Sequence, residues 1–168
     1  MGHTGRPYKL MGKVLIIGYG NPLRGDDGFG WHASRVIAKE LAGRDAEVIT
    51  CHQLTPELAE PLSQSNHAVF IDADAEGEPG EIHWREVLPQ APASSALTHT
   101  CSPAGLLESA TRLYGRCARA VVVTVSAQSF DYGDSLSPVV SAALPKVVER
   151  VLQLACGENN APPQSRRG

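Results

Sequence analysis

Cysteine is scarce and scattered: Cys51, Cys101, Cys117 and Cys156 form no CxxC pair. That argues against a zinc knot, a thioredoxin-like centre and a disulfide scaffold. No apolar run approaches the roughly 20 residues that a membrane-spanning helix needs. The opening residues, MGHTGRPYKLMGK, lack the apolar centre of a signal peptide, so the expected location is the cytoplasm, with no membrane partner. Basic residues are in no excess. The 15 Lys and Arg against 18 Asp and Glu leave a formal net charge of −3, and the cations form no stripe. A nucleic-acid surface therefore has little support. Common catalytic signatures are missing as well: no serine lies in GxSxG, no HExxH occurs, and there is no aspartic-protease triplet.

What the chain does have is enough apolar material for one core, with 168 residues of which 42% are hydrophobic. KVLIIG is a β-branched run closed by glycine, as expected of a strand buried on both faces. In DGFGWHASRVIAKELAG, Phe29, Ala33, Val36, Ile37 and Leu41 fall on one helical face and Gly43 supplies a stop. EVITC reads as a second strand. TPELAEPLSQS reads as a short helix with Thr55 at its cap, and HAVFIDA as a third strand. GEPGEIHWREV turns at Pro79 and Gly80 into an edge strand of alternating character that suits antiparallel pairing. A polar, proline-containing loop over Leu88 to Thr100 precedes a helix capped by Ser102 and running to about Tyr114.

RAVVVTVSA is another buried strand, and Ser137 with Pro138 opens a last helix. There Val139, Val140, Ala143, Leu144, Val147, Val148, Val151 and Leu152 make an apolar stripe, with a kink expected at Pro145. The alternation predicts an α/β fold: three layers, with a mostly parallel twisted sheet of about five strands and helices on both faces. Residues 1–12 are expected to be a flexible extension and 13–156 a single domain. The tail 157–168 is expected to be disordered, because GENNAPPQSRRG has too little apolar content to fold.

The loop after the first strand, GYGNPLRGDDGFG, starts like a phosphate cradle and then places two carboxylates where a phosphate would sit. The third glycine of a dinucleotide loop is replaced by Leu23, and no acidic residue closes the second strand. In the P-loop register the Lys and Ser or Thr are Asp26 and Asp27, which would repel phosphate. The partner of this loop should be a cation or a proton. In an open parallel sheet ligands bind beyond the carboxyl ends of the strands. Asp26 and Asp27, Asp72 and Asp74, and His99 all fall at that edge. Two carboxylates and an imidazole suit Zn, Mn or Ni and leave a position open for substrate or water. Taken singly, Asp27 is equally a charge at a helix amino end and Asp72 a turn cap, and His99 has the ordinary fate of a loop histidine. His32 reads as a surface residue. Cys101, two residues from His99, makes no nucleophile pair at that spacing.

Four segments in this order, IIGYGNPLRGDDGFG, VFIDADAEGEPGEI, THTCSP and SLSPVV, closely resemble the hydrogenase maturation proteases. These endopeptidases trim a carboxy-terminal extension from the large subunit of nickel–iron hydrogenases once nickel is installed. The resemblance runs from about Lys13 to Leu154. By motif match it implies that Asp27, Asp72 and His99 contact the metal and carry catalysis, with Asn21 and Gly28 matching the loop pattern. Where the family allows Glu at the first position, this chain has the shorter Asp27. The resemblance also implies nickel carried by the substrate protein and held only loosely by the free enzyme. Its partner would be the large-subunit precursor, and the enzyme a monomer. Two roles are open for the metal: activating the scissile bond or a water, or serving as a recognition mark. Two other readings stand beside this one: a stand-alone metal-dependent hydrolase with its own zinc, and a non-catalytic nickel-subunit chaperone.

Overall fold

The computed structural model describes residues 12–91 and 101–157. The β-branched runs give β1 (Val14–Tyr19), β2 (Ala46–Cys51), β3 (His67–Asp74) and β5 (Arg119–Ser126); β4 (Ile82–Val87) follows the Pro79–Gly80 turn. They form one five-stranded sheet in the order β2-β1-β3-β5-β4. Pairs β1–β2, β1–β3 and β3–β5 are parallel, and β4 runs antiparallel to β5 at the edge. The expected α/β class, strand number and antiparallel edge are all borne out.

Two apolar cores lie on the two faces of the sheet, as alternation along each strand requires. Residues 14, 16, 69, 71, 123 and 125 face α1 (Phe29–Glu40) and α4 (Pro138–Cys156). Residues 15, 17, 68, 70, 120 and 122 face α2 (Ala59–Gln64) and α3 (Pro103–Tyr114). Phe29, Ala33, Ile37 and Leu41 bury the α1 stripe as expected, but Val36 is 40% exposed. Helical spacing placed Val36 at the margin of the stripe, and the margin stays open where α1 and α4 diverge into a groove lined by Val36 and Leu144. Val139, counted in the α4 stripe, is likewise exposed. The helix continues through Pro145 as a single 19-residue element.

Capping was read correctly at Ser102, whose hydroxyl accepts from Gly105 N at 3.0 Å. Thr55 sits at its expected cap position but makes no capping bond, because the segment starts as a 3-10 turn over Pro56–Leu58. No helix among the described residues is long and apolar enough to cross a membrane. The expectations for residues 1–11, for 158–168 and for the 92–100 part of the polar loop fall outside the described residues.

Candidate functional site

In the strand order, the chain leaves β1 toward β2 on one side and leaves β3 toward β4 and β5 on the other, so the switch point lies between the carboxyl ends of β1 and β3. Crossovers leave a crevice at such a point, into which the following loops project. The glycine loop enters it from β1. Its glycines close a backbone contact: a Cβ on Gly30 would collide with the Ile71 carbonyl, and one on Gly18 with the Gly30 carbonyl. The first turn of α1 thus lies directly on the ends of β1 and β3. The glycine spacing that resembled a phosphate cradle serves helix-to-strand contact.

Before α1, Gly25–Gly28 form a 3-10 turn that carries the acidic pair, and its two carboxylates part company. Asp26 is fully buried and accepts from Gln128 N (2.9 Å), Ser129 N (3.1 Å), Ser137 N (2.7 Å) and Ser137 Oγ (2.8 Å). Burial alone would raise its pKa, yet the Ser137, Gln128 and Ser129 donors prevail and hold it below the usual carboxylate value. A carboxylate so saturated has no lone pair left for a ligand, which removes Asp26 from the five expected at this edge. Ser137 spends its hydroxyl on Asp26 and makes no capping bond to its own helix.

Asp27 is half-buried; its Oδ2 accepts from Asn21 N at 2.9 Å. Asn21 Oδ1 in turn accepts from Leu23 N, an Asx turn that shapes the loop. Asp27 retains acceptor capacity that no described donor fills.

Asp72 reaches the same crevice from β3, and by strand alternation it follows Ala68 and Phe70 onto the α2–α3 side of the sheet. Its Oδ1 accepts from Ala73 N at 2.7 Å. The β1–β3 register, which pairs Gly18 with Ile71, sets Tyr19 level with Asp72. The Tyr19 hydroxyl faces that carboxylate and donates a hydrogen bond to it. Burial pushes the Asp72 pKa up to about 6; bonds from Ala73 and Tyr19 oppose the rise, and the charges of Asp27 and Asp74 add to it. Tyr19 itself is raised by burial and by Asp72. Sequence reasoning gave Tyr19 no role; the signal available was its place as last residue of a strand beside the strand ending in Asp72. Asp74 accepts from Glu76 N at 3.1 Å and shapes the turn that follows.

The third expected ligand, His99, lies outside the described residues. Among the described residues no group of three His, Cys, Asp or Glu side chains is placed to hold a metal ion. His32, read as a surface residue, is half-buried, with Nε2 shielded from solvent and without a hydrogen-bond partner. Burial and then the Arg35 charge lower its pKa. Its ring stands edge-on to Trp31, with centroids 5.3 Å apart. Two half-buried carboxylates face one crevice, and the pKa of Asp72 is raised first by burial and to a lesser degree by the charge of Asp27; a cation would relieve both effects.

Solved structures share this architecture. HycI, a NiFe hydrogenase maturation protease from Thermococcus kodakarensis, matches with a TM-score of 0.69 at 21% identity, over 85% of this chain and 92% of that one. The hydrogenase maturating endopeptidase HybD of E. coli gives 0.66 at 22% identity, over 83% and 90%. HybD of Thermococcus kodakarensis, also a NiFe hydrogenase maturation protease, gives 0.63 at 26% identity, over 85% and 99%. The fold is that of the hydrogenase maturation proteases. The resemblance read from the sequence therefore holds at the level of the fold. Neither a family model nor a curated protein sequence matches the chain. Within the hydrogenase maturation protease fold, the segments GYGNPLRGDDGFG and VFIDADAEGEPGEI are the two that meet at the switch point.

Proposed function

We propose that this chain is an endopeptidase that removes the carboxy-terminal extension of a nickel–iron hydrogenase large-subunit precursor after nickel insertion, and that it recognises the bound nickel through Asp27, Asp72 and His99. The observation that carries the reading is the convergence of Asp27 and Asp72 on one crevice, each with acceptor capacity to spare, in the fold of proteins named for this activity. An oxygen pair of this kind suits a borderline divalent ion, and an imidazole completes the donor set.

Support for His99 comes from its anchors. Cys101, two residues on, packs against the α2–α3 core, the side of the sheet that Asp72 faces. Burial and then the Glu57 charge raise its thiol pKa, so it sits by the turn that follows β2. Gln90 N donates to Ala104 O at 3.1 Å, so the two described ends of this loop meet beside the amino end of α3. Two residues of chain span at most about 7 Å.

The nickel belongs to the precursor and is written here as part of the substrate. This chain's own residues do the following. Asp27 and Asp72 offer oxygens to the incoming ion, whose charge offsets the burial that raises the Asp72 pKa and the smaller repulsion from Asp27 and Asp74. The Ala73 amide fixes the Asp72 carboxylate, and the Asn21 amide fixes that of Asp27. The incoming ion supplies Lewis acidity. Such an enzyme acts in the cytoplasm as a monomer and keeps little metal of its own, because part of the donor set arrives with the substrate.

The test is cleavage of nickel-loaded and nickel-free precursor by the wild-type protein and by the Asp27→Ala and His99→Ala variants. Tail removal only from the loaded precursor, and at least 100-fold slower with either variant, is expected. Undiminished cleavage by both variants would remove the assigned roles, and docking without cleavage would make the chain a chaperone. Zinc retained through chelation would point to the stand-alone hydrolase.

A further inference from the structure

Leu23 and Tyr132 are large and exposed, at 50% and 88%, and both are carried on the clamp that Asp26 closes. The loop from residue 127 to 137 joins β5 to α4, and it is bound to the Asp27 loop by the four bonds to the Asp26 carboxylate. Three backbone bonds add to these: Gly25 N to Gly133 O (2.9 Å), Asp26 N to Ser129 O (3.0 Å) and Gly133 N to Leu23 O (3.0 Å). The Leu23–Gly133 bond sets Leu23 beside the residue that follows Tyr132. Neither side chain contributes to a core. A buried charge and seven bonds thus hold rigid a loop whose tip gains nothing from burial.

We infer that Leu23 and Tyr132 form the docking anchor for the precursor polypeptide, an apolar pair held ready on the same loop that presents Asp27. This inference rests on the proposed function, because the occupant is the protein that delivers the metal. Leu23 lies four residues before Asp27, and its amide is bonded to Asn21, whose own amide holds the Asp27 carboxylate. A macromolecule that brings an ion to Asp27 must cover this part of the loop. Tyrosine is among the residue types that most often carry interface energy, and few rotamers are lost when it is rigidly presented. The Leu23 substitution that spoils the dinucleotide pattern acquires a purpose: a glycine there would offer no apolar surface.

The experiment compares wild-type, Tyr132→Ala, Leu23→Ala and Asp27→Ala proteins in steady-state cleavage of nickel-loaded precursor, and in direct binding to immobilised precursor. Thermal unfolding serves as the folding control. Tyr132→Ala is expected to raise KM and Kd about 10-fold or more with kcat unchanged, and Leu23→Ala to raise them less. Asp27→Ala is expected to lower kcat. Unchanged KM and Kd in the Tyr132 and Leu23 variants would overturn the anchor. So would a change confined to self-association, which would make the pair a contact between two copies of this chain. If the wild-type protein binds but does not cleave, the endopeptidase reading fails while the Kd comparison still decides the anchor.

Discussion

Replacing Asp26 by Asn tests the division of labour within the acidic pair, because it changes one oxygen into an NH2 at constant shape. The amide oxygen best takes the place of Oδ2, keeping Gln128 N, Ser129 N and Ser137 Oγ. The NH2 then faces Ser137 N, which had donated to Oδ1 at 2.7 Å. Two buried donors, the Ser137 amide and the new NH2, are left facing each other, at about 1–3 kcal/mol each, and the three surviving bonds fall from charged to neutral strength. The sum is at least about 3 kcal/mol, or roughly 6 °C or more in Tm for a domain of this size. The change should appear as a lower denaturant midpoint at unchanged slope, with faster hydrogen exchange at Gln128, Ser129 and Ser137.

The pH dependence has a definite sign. The folded pKa of Asp26 lies below its ordinary value of 3.8, so the unfolded state binds the proton more readily. The wild-type advantage over Asp26→Asn is therefore complete above about pH 4 and shrinks as the pH falls below it. A cost under about 1 kcal/mol at neutral pH, or an advantage that grows with acid, would refute the reasoning.

Asp72 predicts the opposite behaviour: its folded pKa is raised to about 6, so it costs stability increasingly as the pH rises from about 4 to about 6. Asp72→Asn should stabilise the protein at pH 7 by about 1–3 kcal/mol and flatten that window while abolishing cleavage; equal denaturant midpoints at pH 7 would contradict this. Gly30→Ala should cost more than about 3 kcal/mol and disable the site, since its methyl meets the Ile71 carbonyl and pushes the first turn of α1 off the sheet. Gly115→Ala should cost only about 1 kcal/mol, because that residue has φ +80° with nothing within 4 Å, and the strain is purely that of the backbone. Thermal unfolding of the two alanine variants side by side separates the two causes.

The centre of the sheet was legible because β1, β3 and β5 are buried on both faces and so carry apolar runs bounded by Gly, Asp or Ser. The antiparallel edge was legible because Ile82 and Trp84 alternate with polar neighbours. Stripe margins were less so. Val36 and Val139 sit at helical positions where a rotation of a few tens of degrees decides between core and solvent, and the crossing of α1 over α4 sets that rotation. Periodicity along one helix carries no term for its partner.

The site divides along the same line. Asp27 and Asp72 could be expected at one edge of the sheet because following a strand is a local property and topology brings strand ends together. The difference between Asp26 and Asp27 came from the family motif alone and was invisible in residue type and spacing, since what distinguishes them physically is a loop more than a hundred residues away: Gln128, Ser129 and Ser137 take up Asp26, and only Asn21, six positions off, holds Asp27. Adjacent residues in a tight turn point to opposite sides, so one carboxylate of such a pair is turned inward and must be satisfied there, at the cost of burying a charge. The other, turned outward, is thereby held in place with acceptor capacity to spare. The inner aspartate makes the outer one a rigid donor, and a loop built this way presents a charge to a partner without letting it collapse onto its own chain.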